Sequence, residues 1–177
     1  MPSIMVTPLA LIDVAIRARK PSHLLTLLGP DYMIGHHHTF TRDRHLRIKV
    51  HDIASVLPGQ TEPRANHAEA VLTFIEGWDR TAPLLIHCWA GISRSTASMY
   101  MTLCKLNPEA DELAILRRMR ALAPHIAPNR LLVAHADDLL KRDGRMVDAL
   151  DAIGPASGAD MGFLFELPAL LAPGDLD

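Results

Sequence analysis

Cysteine is scarce: the 177-residue chain has only two, Cys88 and Cys104, too few to encode a disulfide framework. Charge of one sign is missing too. Eighteen basic residues stand against twenty acidic ones, a formal net charge of −2, so no global field draws nucleic acid or anionic lipid. Any anion site must therefore be built locally. Long hydrophobic runs are absent, none approaching the ~20 residues that span a bilayer. The first residues, MPSIMVTPLALIDVAIRARK, carry no basic stretch ahead of the apolar one, and Asp13 and Arg17 interrupt it. That pattern argues against a signal peptide, and the expected location is the cytoplasm, where thiols stay reduced.

What is present is ordinary globular material, 49% apolar and 21% charged. The length suits one domain with a real core. Short apolar runs alternate with longer amphipathic ones. Ile4–Val6, Ser22–Leu28, His45–Val50 and Leu84–His87 read as strands, and Leu9–Arg19 and Pro63–Trp78 as helices. Three more helices are expected at 93–106, 109–123 and 129–141. In the second of these, acidic Glu109, Asp111 and Glu112 precede basic Arg117, Arg118 and Arg120, which suits the helix dipole. The expected fold is a single α/β domain, a central mostly parallel sheet flanked by helices, with a helical C-terminal half. Residues 1–142 read as the body and 143–177, rich in glycine and proline, as a tail packed on it.

Residues 87–95 concentrate the chemistry: His87, Cys88, Trp89, Ala90, Gly91, Ile92, Ser93, Arg94 and Ser95. A thiol is a strong nucleophile only as thiolate, which helix N-termini and nearby cations favour. Here a cysteine ends an apolar strand and a helix begins about five residues later. The loop between can wrap an anion with inward backbone N–H groups, as helix N-termini and nests do. Gly91 permits the tight curve, and Arg94 returns a planar fork for two phosphate oxygens.

This segment resembles the HC-x5-R-[ST] signature of the cysteine-dependent protein tyrosine phosphatases, and more closely their compact, bacterial-type dual-specificity branch. His87, Cys88, Gly91, Arg94 and Ser95 match it, and Pro128-Asn129 resembles a pair such phosphatases often carry at a later helix. The resemblance spans roughly residues 1–142 in element order. It implies a phosphomonoester hydrolase, a protein tyrosine or dual-specificity phosphatase working through a phosphocysteine on Cys88 without metal or organic cofactor. The amides of Trp89, Ala90, Gly91, Ile92 and Ser93 would bind phosphate with Arg94. Ser95 would assist the sulfur as leaving group, and His87 would orient the loop. The implied partner is a phosphorylated protein or small aryl phosphate, with neither nucleic acid nor membrane. A general acid is expected on a loop after a strand, some thirty-odd residues upstream. Asp52, 36 residues before Cys88, fits that place, and Glu62 on the same loop is its rival.

Other readings compete. A cysteine ending a strand is commonly a small apolar core residue, but Cys, Gly and Arg at fixed spacing argue against it. A rhodanese-like sulfurtransferase usually has a loop one residue shorter than the five between Cys88 and Arg94. A non-catalytic phosphoprotein-binding module would lack the nucleophile or the acid. Gly77–Thr81 mimics part of a myotubularin loop, yet no cysteine precedes it, and Trp78 reads as core. His36-His37-His38 reads as a solvated loop rather than a metal site, because consecutive residues rarely face one ion. Arg42, Arg44, Arg47 and Lys49 read as a charged strand surface. Phosphoinositide phosphatases of the tensin type carry loop lysines where Trp89, Ala90 and Ile92 stand here, which argues against a polyanionic inositol substrate.

Overall fold

A computed structural model describes residues 2–176. Among them, five strands form one sheet: β1 (Ser3–Pro8), β2 (His23–Leu28), β3 (His45–Lys49), β4 (Leu84–Cys88) and β5 (Phe165–Pro168). Their order is β3-β2-β4-β1-β5. The pairs β2–β3, β2–β4 and β1–β4 are parallel, and β5 runs antiparallel on β1. Every residue of β2 and β4 is buried, as expected of central strands covered on both faces.

The helices are α1 (Ile12–Arg19), α2 (Ala65–Glu76), α3 (Arg94–Leu106), α4 (Glu112–Leu122), α5 (Arg130–Leu140) and α6 (Arg145–Ile153). Side chains alternate across each strand, so the two faces receive different sets. Ile4, Val6, Leu25, Leu27, Leu84 and Ile86 pack with α2–α6. Met5, Leu24 and Leu85 pack with Ile12, Ala15 and Ile16 of α1. On that second face, further along the strands, Thr7, His87 and Thr26 stand side by side in register, a fully buried polar row. From Arg94 to Cys104, α3 is buried on all sides, and it forms the spine of the larger core. Its hydroxyls stay satisfied by bonding back one turn, Ser98 to the Arg94 carbonyl (2.9 Å) and Thr102 to that of Ser98 (2.6 Å).

The expected strands and helices of the body are present, with ends displaced by at most three residues. Leu9–Leu11, expected as helix, is a 3₁₀ turn leading into α1. The segment from 143 on carries regular structure of its own, α6 and β5. Asp137 on α5 makes the turn into α6 by accepting the amides of Gly144 and Met146, both at 2.7 Å. β5 is held at the sheet edge by Glu166, which pairs with Arg19 and accepts from Ser3 Oγ (3.1 Å).

One expectation fails. The three consecutive histidines do not simply stand in solvent. The His37 backbone N–H donates to His45 Nδ1 (3.0 Å), its ring bonds Asp13 (3.0 Å), and the His36 ring meets His45 edge-on at 5.1 Å. The reason lies in His45, buried at the start of β3, whose Nδ1 finds its polar partner in this loop. Among the described residues no cluster of three or more His, Cys, Asp or Glu is placed to hold a metal ion, and no helix is long and apolar enough to cross a membrane.

Candidate active site

β4 ends at Cys88 and α3 begins at Arg94, so five residues close the turn between them. Gly91 makes it possible. Its φ is +72°, and a Cβ there would lie 2.8 Å from the Pro8 nitrogen and 3.0 Å from the Thr7 carbonyl carbon. The loop carbonyls turn outward to fixed donors. Leu9 N–H reaches the Trp89 oxygen (3.1 Å), Gly162 that of Ala90 (2.8 Å), Ala127 that of Ile92 (2.9 Å), and Asn129 that of Ser93 (3.2 Å). The amides consequently face the interior of the loop. That of Gly91 donates to Cys88 Sγ (3.3 Å), and those of Ala90, Ile92 and Ser93 donate to no described residue. With the N-terminus of α3 behind them, they line a concave turn over the sulfur, an arrangement whose chemistry suits an anion.

Cys88 is 1% exposed, and its sulfur lies 3.1 Å from Ser95 Oγ in the first turn of α3. Arg94 is buried as well. One guanidinium nitrogen, Nη1, donates to the Val50 carbonyl just past β3 (2.8 Å), while the buried Nε has no hydrogen-bond partner among the described residues. A buried N–H of a charged group without a partner is costly, and it suits a site built to receive an anion.

Asp52 approaches from the loop after β3. Its Oδ2 lies 3.8 Å from Arg94 Nε, and its Oδ1 accepts from Ser93 Oγ (2.6 Å) and Asn129 Nδ2 (3.1 Å). Asn129 does three jobs. Its Oδ1 caps α5 by accepting from Leu132 N–H (3.2 Å), and Nδ2 also donates to the Ile53 carbonyl (3.0 Å), so the helix start clamps the Asp52 loop. Glu62 is taken up differently. Arg64 bonds it at 2.7 Å and holds its carboxyl below the usual range, and it does not line the cleft.

The cleft above Arg94 measures about 330 Å³. Asp52 and His51 form one wall, Tyr32 and Trp89 another. The two aromatic rings meet edge to face at 5.4 Å, and Trp89 is 48% exposed. His51 Nδ1 accepts from Thr61 N–H (2.8 Å), which ties the loop to itself. Beneath the loop, His87 is fully buried and bonds Thr26 Oγ1 at 2.7 Å. Burial pushes its imidazolium down to about 4.

The structure therefore gathers Cys88, Arg94, Ser95, Asp52 and the 89–93 amides around one cleft, with His87 behind them. Sequence reasoning missed Tyr32, His51 and the clamp role of Asn129. For Asn129 a signal existed, the Pro128-Asn129 pair. Tyr32 and His51 lie on loops whose course no periodicity predicts.

No protein-family model and no curated protein sequence matches the chain. Solved structures do. DUSP15 superposes with a TM-score of 0.62 at 20% identity, covering 89% of this chain and 96% of its own. The fold is that of the dual-specificity and tyrosine phosphatases. PTP-2 phosphatase of Cydia pomonella follows at TM-score 0.59 and 16% identity, covering 91% of this chain and 92% of its own. PTPMT1 in complex with PI(5)P gives 0.58 at 12% identity, over 78% and 90%. At such identities the likeness is one of fold, and the chemistry must be argued from the site.

Proposed function

We propose that the protein is a phosphomonoester hydrolase of the tyrosine or dual-specificity type, acting through a phosphocysteine on Cys88. The observation that carries this reading is the joint geometry of sulfur, inward amides and an Arg94 Nε without a hydrogen bond around one small concave site. In the first step the Cys88 thiolate attacks phosphorus in line. The P–O bond to the leaving group breaks, and Asp52 delivers a proton to the departing oxygen. The loop amides and Arg94 hold the equatorial oxygens, where charge shifts as the bond breaks. In the second step water attacks the phosphocysteine, Asp52 takes its proton, and the Ser95 hydroxyl stabilises the leaving sulfur from 3.1 Å.

The substrate class is a phosphorylated protein side chain or small aryl phosphate. Trp89 and Tyr32 offer apolar walls to a ring, and the loop side chains Trp89, Ala90 and Ile92 offer no cation to further phosphates. The PI(5)P bound by PTPMT1 belongs to that protein, and no such ligand is assigned here. Cytoplasmic residence is part of the same proposal. The test is hydrolysis of phenyl phosphate and a phosphotyrosine peptide without added metal, with Cys88→Ser as control. Turnover surviving in the control rejects covalent catalysis. Phosphopeptide binding without turnover in the wild type replaces the enzyme with a recognition module.

A further inference from the structure

His87 belongs to β4, the strand that ends at Cys88, and pairs in register with Thr7 and Thr26, and its partners continue past the site. Its Nε2 lies 2.7 Å from Thr26 Oγ1 on β2, and the same hydroxyl lies 2.9 Å from His45 Nε2 on β3. His45 Nδ1 in turn accepts the backbone N–H of His37 at 3.0 Å. Thr26 and His87 are wholly buried and His45 is 1% exposed, so water does not compete along this line. We propose that Thr26 and His45 form a directed relay that fixes which nitrogen of His87 carries the proton, and thereby tunes the reactivity of Cys88. The proposal rests on the phosphatase reading of the site.

The direction follows from one fixed donor. A backbone N–H can only donate, so His45 Nδ1 is the acceptor and the neutral ring keeps its proton on Nε2. That Nε2–H donates to the Thr26 oxygen. The hydroxyl proton is then free to point the other way, into His87 Nε2. An accepting Nε2 places the His87 proton on Nδ1, the ring nitrogen that does not meet Thr26. Nδ1 makes no hydrogen bond of ordinary geometry among the described residues, yet it feels the Cys88 backbone, which opposes the effect of burial. A positive N–H end there favours charge on the nucleophile. Burial keeps both rings neutral near pH 7, pushing His45 down to about 3 and His87 to about 4. The charged and titratable neighbours are His36, His37 and Arg47 around His45, and Arg94 and His37 toward His87; each cation among them opposes protonation of the rings. Thr26 and His45 touch no substrate, and both are positioning residues.

Two measurements test this. Long-range ¹⁵N NMR of the wild-type protein, with His45→Gln and His87→Gln used only for assignment, should find opposite neutral tautomers, Nε2–H at His45 and Nδ1–H at His87. Alkylation of Cys88 by iodoacetate against pH reads the thiol directly and needs no turnover, so it stands even if the hydrolysis assay fails. Cys104 does not interfere, because burial holds its thiol up to about 12, and Cys88→Ser gives the blank. In Thr26→Val the alkylation midpoint should rise by about one pH unit, as expected for loss of one oriented dipole. The acid limb of kcat/KM should move equally, and Thr26→Ser should restore both. Identical tautomers at the two rings, or an unmoved midpoint in folded Thr26→Val, overturns the relay. If Thr26→Val does not fold, the wild-type tautomers decide alone.

Discussion

Asn129→Ser separates the Asp52 loop from the helix it is clamped to. Serine keeps a good N-cap acceptor for α5, so that helix should hold. What disappears is the Nδ2 donor to Asp52 Oδ1 (3.1 Å) and to the Ile53 carbonyl (3.0 Å). A neutral hydrogen bond contributes about 0.5–1.5 kcal/mol and one to a charged group about 1.5–3. Asp52 is 38% exposed in its side chain, so water recovers part of its share. The net loss should be about 1–2 kcal/mol, a fall in Tm of about 2–8 °C at this chain length. The catalytic effect is more selective. Ser93 still holds the same carboxylate oxygen at 2.6 Å, so Asp52 is loosened rather than lost. With phenyl phosphate, whose leaving group needs a proton, kcat should fall about tenfold, less than the 10²–10³ expected for Asp52→Ala. With 2,4-dinitrophenyl phosphate, which leaves without help, both variants should approach wild type. Steady-state kinetics on the two esters, beside a thermal melt, reads all of this. If Asn129→Ser keeps wild-type kcat on phenyl phosphate while Asp52→Ala is crippled, the clamp has no part in positioning the acid.

Cys88→Ser should lose turnover but still bind tungstate by calorimetry, whereas Arg94→Ala should lose both, because it removes the guanidinium that meets the anion; a tenth of wild-type rate in Cys88→Ser would end the covalent scheme. Peroxide should abolish the proposed turnover without joining Cys88 to Cys104. Cys104 lies ten residues along α3 from Arg94, about 15 Å at ~1.5 Å per residue, while bridged Cα atoms stay within ~7 Å; a cross-linked peptide pair in mass spectrometry would contradict this. Stability should fall on acidification. His45 and His87 are held neutral in the fold, with values near 3 and 4, but take protons near 6.5 when unfolded, so their contribution is present above pH 6.5 and is lost as pH falls toward 4. By linkage, going from pH 7 to 5 costs about 2 kcal/mol for each; a denaturant midpoint unchanged over that interval would show the two rings are not buried neutral. Gly162→Ala should lower kcat and Tm together, since a Cβ there would meet His125 Nε2 at 2.6 Å and the Gly91 carbonyl at 3.0 Å, displacing the donor to the Ala90 oxygen. Unchanged values of both would show that this strand of chain does not brace the loop.

The body of the fold was legible because its parallel strands are buried on both faces. Such strands read as continuous apolar runs, as SHLLTLL and LLIH do, and the helices between them keep an apolar stripe. The segment after Asp143 was less legible for a physical reason. β5 is only four residues long and alternates buried with half-buried positions at an edge, so its identity depends on β1 being there to pair with. α6 has an apolar stripe in Met146, Val147, Leu150 and Ile153, but it opens on Gly144 in the left-handed region and draws its turn from Asp137 on another helix. Neither cue is local in sequence.

The site divides along the same line. Cys88, Gly91, Arg94 and Ser95 were readable because one strand–loop–helix turn fixes them all, and each residue type answers a need of that turn. Asp52 could be favoured only by its place after a strand and its distance from Cys88, with Glu62 on the same loop left as its rival. What separates the two carboxylates is tertiary. Ser93 and Asn129 reach Asp52 from elements 41 and 77 residues away, while Arg64, two residues on, occupies Glu62. The Thr26–His45 pair was hidden for the same cause, since a threonine in a buried strand and a histidine opening the next look like packing until parallel pairing brings both beside His87. On the proposed reading a motif supplies the reacting atoms, and the neighbours that would set their protons come from chain positions that only the sheet brings together.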